Sequence, residues 1–276
     1  MTAPTIDLAG HRVARIGFGA MRLPTEAGDA RAASIALLRQ AVELGVTLID
    51  TAHLYGWGAN EELVAEALHP YPEGLLVTTK VGVERRPDLP DGAVYNGGEK
   101  FLRGQVDDAL RRLRTERVDL LQLHRIDPAI PVAEQVGFLR DLRDEGKIGH
   151  IGLSEVDVEQ LAEARRTVEI ASVQNRYNVL DREHEPVLDA CTADGIAFLP
   201  WRPVAAGATG DTDAIAEVAA ELDATPTQVS LAWLLRHSPV MLPIPGTASP
   251  AHLAENVAAG AVELGDEGYL RLSGIG

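Results

Sequence analysis

A (β/α)8 TIM barrel with an N-terminal β-hairpin is the fold this sequence predicts, and three observations carry that prediction. Eight short β-branched or apolar runs alternate with amphipathic helical segments along nearly the whole chain, the pattern of βαβ units and a parallel sheet. The 276 residues, 46% of them hydrophobic, suffice for one barrel-sized core, and no linker, low-complexity tract or charge block divides them, so residues 1–276 read as a single domain. A doubly wound sheet would more usually carry a glycine fingerprint after its first strand, and the nearest candidate, GFGAMRLP, lacks the third glycine.

TIDLAGHRVAR reads as a hairpin turning at Ala9-Gly10 and capping the barrel floor. The predicted strands are ARIGFG (14–19), VTLID (46–50), LLVTTK (75–80), VDLLQLH (118–124), IGHIGLS (148–154), IASVQN (170–175), GIAFLPW (195–201) and VMLPI (240–244). RAASIALLRQAVELG, NEELVAEALH, FLRGQVDDALRRLR, PVAEQVGFLRDLRDEG, DVEQLAEARRT and EHEPVLDACTADG supply the helices after the first six strands. The pair DTDAIAEVAAELDA and TPTQVSLAWLLRHS follows the seventh strand, SPAHLAENVAAG follows the eighth, and GDEGYLRLSG is a last short helix. Gly45, Gly146 and Gly195 stand where helices end, while Thr225-Pro226 and Ser249-Pro250 are good N-cap and first-turn pairs.

The formal net charge of -16 repels phosphate, which argues against nucleic acid and anionic membrane as partners; a phosphate-bearing ligand would need a local cluster of donors. MTAPTIDLAG lacks the basic flank and apolar run of a signal peptide, and no stretch approaches the roughly 20 apolar residues of a membrane span, so the expected location is cytoplasmic. The one cysteine, Cys191, reads as a small buried residue of a helix.

In a barrel the active site forms where the C-terminal ends of the strands and their following loops meet. The polar or aromatic residues at those ends are Asp50, with Tyr55 in its loop, Lys80, His124, Ser154, Gln174-Asn175 and Trp201-Arg202. A lysine and a histidine closing otherwise apolar strands would be costly to bury unpaired. Asp50 can pair with Lys80, and a lysine beside a phenol lowers its pKa, which would let Tyr55 exchange a proton near neutral pH. His124 can then hydrogen-bond the reacting oxygen. A metal-dependent hydrolase using His53, Asp50 and His124 is a competing class, but no two histidines are closely spaced on one strand.

DTAHLYGWGANEEL, TTK, LLQLH, IGLSE, VQNRYN and IPGTASPAHLAEN, in order and spanning Ile16 to Asn256, resemble the successive signatures of the aldo-keto reductase family. The resemblance implies an NAD(P)H-dependent oxidoreductase that reduces a small-molecule aldehyde or ketone, with a catalytic tetrad of Asp50, Tyr55, Lys80 and His124 and Tyr55 as general acid. It also implies that Ser154 and Gln174 hold the nicotinamide carboxamide and that Trp201 stacks on the ring. The phosphates would lie at Gly246, Thr247, Ser249 and His252, the adenine on Glu255 and Asn256, with Gly19, Met21, Asp50, Pro203 and Val204 also against the cofactor.

NADP(H) is the expected cofactor; NAD(H) is the alternative because the cations that select NADP, which many relatives carry near Gly246 and His252, are missing or weakened here, with Arg202 as a candidate compensating charge. Glu155 stands where relatives have asparagine. Arg22, His53, Trp57 and Arg125 are assigned to the substrate pocket, with the loop VERRPDLPDGAVYNGG (83–98) over the mouth. The chain stops soon after Asn256, so the pocket is expected to be open. RIGFGAMRL and SPVMLPIPGTASPAHLAEN look most similar to a bacterial subgroup that includes pyridoxal reductases. Relatives also serve as channel-associated subunits that bind cofactor and turn over slowly, so a cofactor-sensing, non-catalytic subunit is the alternative function.

Overall fold

The computed structural model describes residues 4–90, 92–204 and 213–275, so the first two positions of the helix expected at 211–224 lie outside the described residues. The chain begins with the expected hairpin, β1 (Thr5–Leu8) and β2 (His11–Ala14), whose turn at Ala9 and Gly10 takes positive φ at both positions, 52° and 77°, as a two-residue hairpin turn requires. The following elements are β3 (Phe18–Gly19), α1 (Asp29–Glu43), β4 (Leu48–Asp50), α2 (Ala59–Leu68) and β5 (Leu76–Val81). The 83–98 segment is a second hairpin rather than a plain loop, β6 (Val83–Arg85) with β7 (Ala93–Tyr95). Then come α3 (Glu99–Leu113), β8 (Val118–Leu123), α4 (Val132–Asp144), β9 (Ile148–Ser154), α5 (Val158–Arg165), β10 (Ile170–Gln174) and α6 (Glu185–Asp194). β11 (Ala197–Phe198), α7 (Asp213–Glu221), α8 (Pro226–His237), α9 (Pro250–Ala258) and α10 (Asp266–Ser273) complete the order.

Seven strands run parallel in the order β3-β4-β5-β8-β9-β10-β11. The eighth, expected at 240–244, is not a regular strand, because Pro243 and Pro245 have no N–H to give to a ladder. It nonetheless joins both edges. Leu242 N donates to Phe198 O at 2.8 Å and Phe198 N to Val240 O at 2.9 Å, while Gly17 N donates to Pro243 O at 2.9 Å. Arg15 adds bonds from its guanidinium to the carbonyls of Leu235, Ser238 and Met241, so the segment is held from the first strand's side as well. The result is a closed (β/α)8 barrel.

Period-2 alternation sorts the strand residues. Leu48, Leu76, Leu120, Ala197, Leu199, Leu242 and Ile244 form one apolar cluster with Leu8 and Val13 of the hairpin, filling the floor of the barrel. Their neighbours Ile49, Val81, Leu121 and Leu123 belong to the cluster packed against the helices. Two residues beyond each floor leucine the inward position turns polar: Asp50 after Leu48, Thr78 and Lys80 after Leu76, Gln122 and His124 after Leu120. Gly152 leaves room for this layer, since a Cβ there would fall 2.3 Å from Ser172 Oγ and 2.9 Å from Gln122 Cγ.

Helix termini follow the expected signals. Thr225 forms a capping box with Gln228, Ser249 caps α9, and Gly195 ends α6 in the left-handed region. Cys191 is buried in α6, and burial pushes its thiol up to about 12. Among the described residues no helix is long and apolar enough to cross a membrane.

Candidate active site

The inward polar layer converges on one buried ion pair. Lys80 Nζ lies 2.6 Å from Asp50 Oδ2, with Lys80 fully buried and Asp50 2% exposed. Lys80 also donates to Thr51 O at 3.0 Å and to the Tyr55 hydroxyl at 3.2 Å. The other Asp50 oxygen accepts from Gln122 at 3.1 Å and from Gln174 at 2.9 Å. The second contact reaches across the barrel from β10 to β4, so the carboxylate is satisfied from three strands. Burial pulls the Lys80 pKa down, but Asp50 and Tyr55 outweigh it and hold the ammonium above its ordinary value.

Tyr55 corrects one expectation. Burial of its hydroxyl pushes the pKa up, and the opposing pull of Lys80 does not cancel this, so the phenol is protonated at neutral pH instead of poised to ionise there. Lys80 was legible as a neighbour, whereas the desolvation that wins was not. His124 meets the Tyr55 ring edge to face, with centroids 6.0 Å apart. Burial, then Lys80 and Arg125, hold the imidazole well below its usual pKa, so it is neutral. Its buried Nδ1 has no hydrogen-bond partner among the described residues.

Above this group opens a cleft of about 1000 Å³. It runs from Tyr55 and His124 past Ser154, Gln174 and Trp201, then along Gly246 and Thr247 to His252, Glu255 and Asn256. Gly19, Met21, Arg22, Asp50, Arg125, Arg202, Pro203 and Val204 also line it. Leu54, Thr227, Ile244, Pro245 and Ala248 are further lining residues that the strand-end reading passed over. Gly19 and Gly246 are required where the two backbones meet: a Cβ on Gly246 would fall 2.6 Å from Gly19 O, and one on Gly19 would fall 2.8 Å from Ile244 O. The adjoining wall is therefore smooth backbone. A smaller cavity of about 470 Å³ lies at the opposite end beside the hairpin, where Arg165 and Asp194 are already paired.

Three expected site residues stand elsewhere. Ser249 is spent on capping α9, accepting from His252 N at 3.4 Å, and does not line the cleft. His53 and Trp57 are also absent from the lining: His53 Nδ1 lies 3.0 Å from Arg112 Nη1, and Trp57 packs edge-on against His53 with the Arg85 guanidinium 5.7 Å from its ring. Of the ligand set of the hydrolase reading, His53 is taken up by Arg112 and Asp50 by Lys80, and no group of three or more His, Cys, Asp or Glu that could hold a metal occurs among the described residues.

Glu155, whose purpose sequence left open, takes a definite one. Its Oε1 accepts from Trp201 Nε1 at 2.5 Å and from Arg176 N at 2.8 Å, fixing the indole plane at the cleft wall. Arg202 lies over the other part of that wall, 5.7 Å from the Trp201 ring. Gln174 donates to Asp50 and to Gln122 Oε1, so its amide is tied to the ion pair as well as lining the cleft.

The sequence model described as the aldo/keto reductase family matches residues 15–275. The chain is 42% identical to an uncharacterised oxidoreductase of Schizosaccharomyces pombe, covering 98% of this chain and 89% of that protein. It is 39% identical to pyridoxine 4-dehydrogenase of Escherichia coli, covering 100% and 99%. Among solved structures, an aldo-keto reductase from Klebsiella pneumoniae in complex with NADPH matches at a TM-score of 0.86 and 29% identity, covering 99% of this chain and 94% of that one.

Proposed function

Because the chain belongs to the aldo/keto reductase family, we propose that it uses NADP(H) to reduce an aldehyde or ketone to an alcohol, with Tyr55 as general acid. The observation that carries this reading is the Tyr55 hydroxyl 3.2 Å from the buried Lys80 ammonium, itself 2.6 Å from Asp50, at the base of the large cleft. The protonated phenol suits the reductive direction, in which a proton must be given to the carbonyl oxygen. Lys80 stabilises the phenolate left behind, and Asp50, held by two glutamines, keeps Lys80 charged and in place. His124, neutral and lining the cleft beside the Tyr55 ring, is a hydrogen-bonding partner for the same oxygen.

The cleft suits a nicotinamide dinucleotide, with smooth backbone at Gly19 and Gly246 and an indole fixed by Glu155. When bound, the nicotinamide supplies the hydride. Ser154 and Gln174 would hold its carboxamide and Trp201 would face the ring. Gly246 and Thr247, in the loop before α9, and His252, in its first turn, would hold phosphate, where the helix dipole favours an anion. Glu255 and Asn256 would meet the adenine. Arg202, exposed at the cleft wall, supplies the charge that favours NADP(H) over NAD(H).

Similarity to pyridoxine 4-dehydrogenase over nearly the full length of both chains makes pyridoxal the specific aldehyde to test. Single-turnover oxidation of NADPH with a panel of aldehydes and ketones that includes pyridoxal should show oxidation with at least one carbonyl. NADPH binding without oxidation across the panel would replace this reading with that of a cofactor-sensing subunit.

A further inference from the structure

Tyr55 sits at the entrance of an unusual turn. The three residues after it all take left-handed backbone angles: Gly56 at φ 63°, Trp57 at φ 56° and Gly58 at φ 99°. Trp57 has a Cβ and does not adopt that region without support from its surroundings. The support comes from outside the barrel. Arg112, on α3, lays its guanidinium over Gly58, where a Cβ would fall 2.5 Å from Cζ. Arg112 Nη1 donates to Glu61 Oε2 at 3.1 Å and to His53 Nδ1 at 3.0 Å.

An arginine can only donate, so Nδ1 of His53 is the acceptor and the ring is neutral, with its hydrogen on Nε2. Burial and the neighbouring guanidinium lower the His53 pKa, in keeping with that tautomer. Glu61 is fully buried in the first turn of α2, and its other oxygen accepts from Thr79 Oγ1 at 2.6 Å, on the residue before Lys80. One chain of contacts therefore ties the strand of Lys80 to both sides of the Tyr55 loop.

We propose that Arg112 is a positioning residue for Tyr55: anchored by Glu61 and His53, it locks the left-handed turn 56–58 and so sets the phenol against Lys80. Thr51 and Asn60 brace the inner side of the same loop, Thr51 Oγ1 bonding Asn60 Oδ1 at 2.6 Å and Asn60 Nδ2 bonding Ala20 O at 2.9 Å. They leave the outer side to Arg112. The inference rests on Tyr55 being the acid, and its test has one arm that needs no turnover.

Arg112→Met should slow single-turnover reduction at saturating NADPH about tenfold or more while the NADPH Kd stays within about twofold, because a displaced acid affects chemistry and not cofactor contacts. Arg112→Lys should recover part of the rate by restoring the charge beside Glu61. His53→Gln, whose amide oxygen can accept from Arg112, should retain more of the rate than His53→Leu. In the second arm, ring-carbon NMR of labelled tyrosine, with Tyr55 assigned through Tyr55→Phe, should show the Tyr55 signal moved in Arg112→Met toward that of the exposed Tyr95.

A folded Arg112→Met protein with an unchanged rate and an unchanged Tyr55 signal would overturn the proposal. If that variant does not fold, equal rates for His53→Gln and His53→Leu would do so. If the wild type reduces no carbonyl, the functional reading falls and the NMR comparison alone decides this one: an unmoved signal overturns it, a moved signal supports it.

Discussion

Replacing Lys80 with methionine keeps most of the side chain's length and removes the ammonium 2.6 Å from Asp50. Breaking a buried pair by deleting one partner costs about 3–5 kcal/mol, because it leaves a charge without compensation. Asp50 would keep the amide donors of Gln122 and Gln174, at 3.1 Å and 2.9 Å, so the loss should sit near the lower end, about 3 kcal/mol. A fold worth about 5–15 kcal/mol survives that. Removing the orphaned charge should restore stability: Lys80→Met/Asp50→Asn should be more stable than Lys80→Met, with a coupling of about 2 kcal/mol. The assay is urea unfolding at neutral pH, followed by fluorescence and circular dichroism so that coincident transitions justify the free energies. A cost below about 1 kcal/mol for Lys80→Met, or strictly additive single and double variants, would refute the idea that these residues form one buried unit.

Gly246→Ala places a Cβ 2.6 Å from Gly19 O; it should lower the melting temperature and weaken NADPH about tenfold, read by fluorescence titration, and unchanged binding would mean this backbone contact does not shape the cofactor site. Glu155→Ala removes the acceptor of Trp201 Nε1 and should weaken NADPH more than Glu155→Gln does; equal affinities would separate Glu155 from the indole's placement. The folded state holds His124 well below its usual pKa, so the unfolded chain takes up that proton first. Stability tied to His124 is therefore full above about pH 6.5 and is lost as pH falls below it, by up to about 1.4 kcal/mol per pH unit. His124→Gln should flatten that part of the stability curve, and an identical slope would contradict the assignment.

The polar strand ends were legible because period 2 forces Asp50, Lys80 and His124 onto the same inward face as Leu48, Leu76 and Leu120, a rule that needs no tertiary knowledge. Pro243 and Pro245 were in plain view too; they mark the eighth strand as one that joins its neighbours through few bonds. What sequence hid is what depends on desolvation or on helices arriving from afar. Glu61 looks like an ordinary acidic residue of a helix start, and Arg112 like one cation of ALRRLR; only their meeting behind the Tyr55 loop gives them a role. His53 was misplaced for the same reason. It lies three residues after the strand end and six before α2, and the guanidinium that captures it comes from α3.

Whether Tyr55 delivers the proton is read most directly from Tyr55→Phe. Lys80 would keep Asp50 and Thr51 O as partners, so stability should fall by no more than about 1 kcal/mol. The NADPH Kd should stay within about twofold, while single-turnover reduction at saturating NADPH falls about 10²–10⁴-fold. A Tyr55→Phe protein that binds NADPH normally and reduces the carbonyl at the wild-type rate would contradict the account.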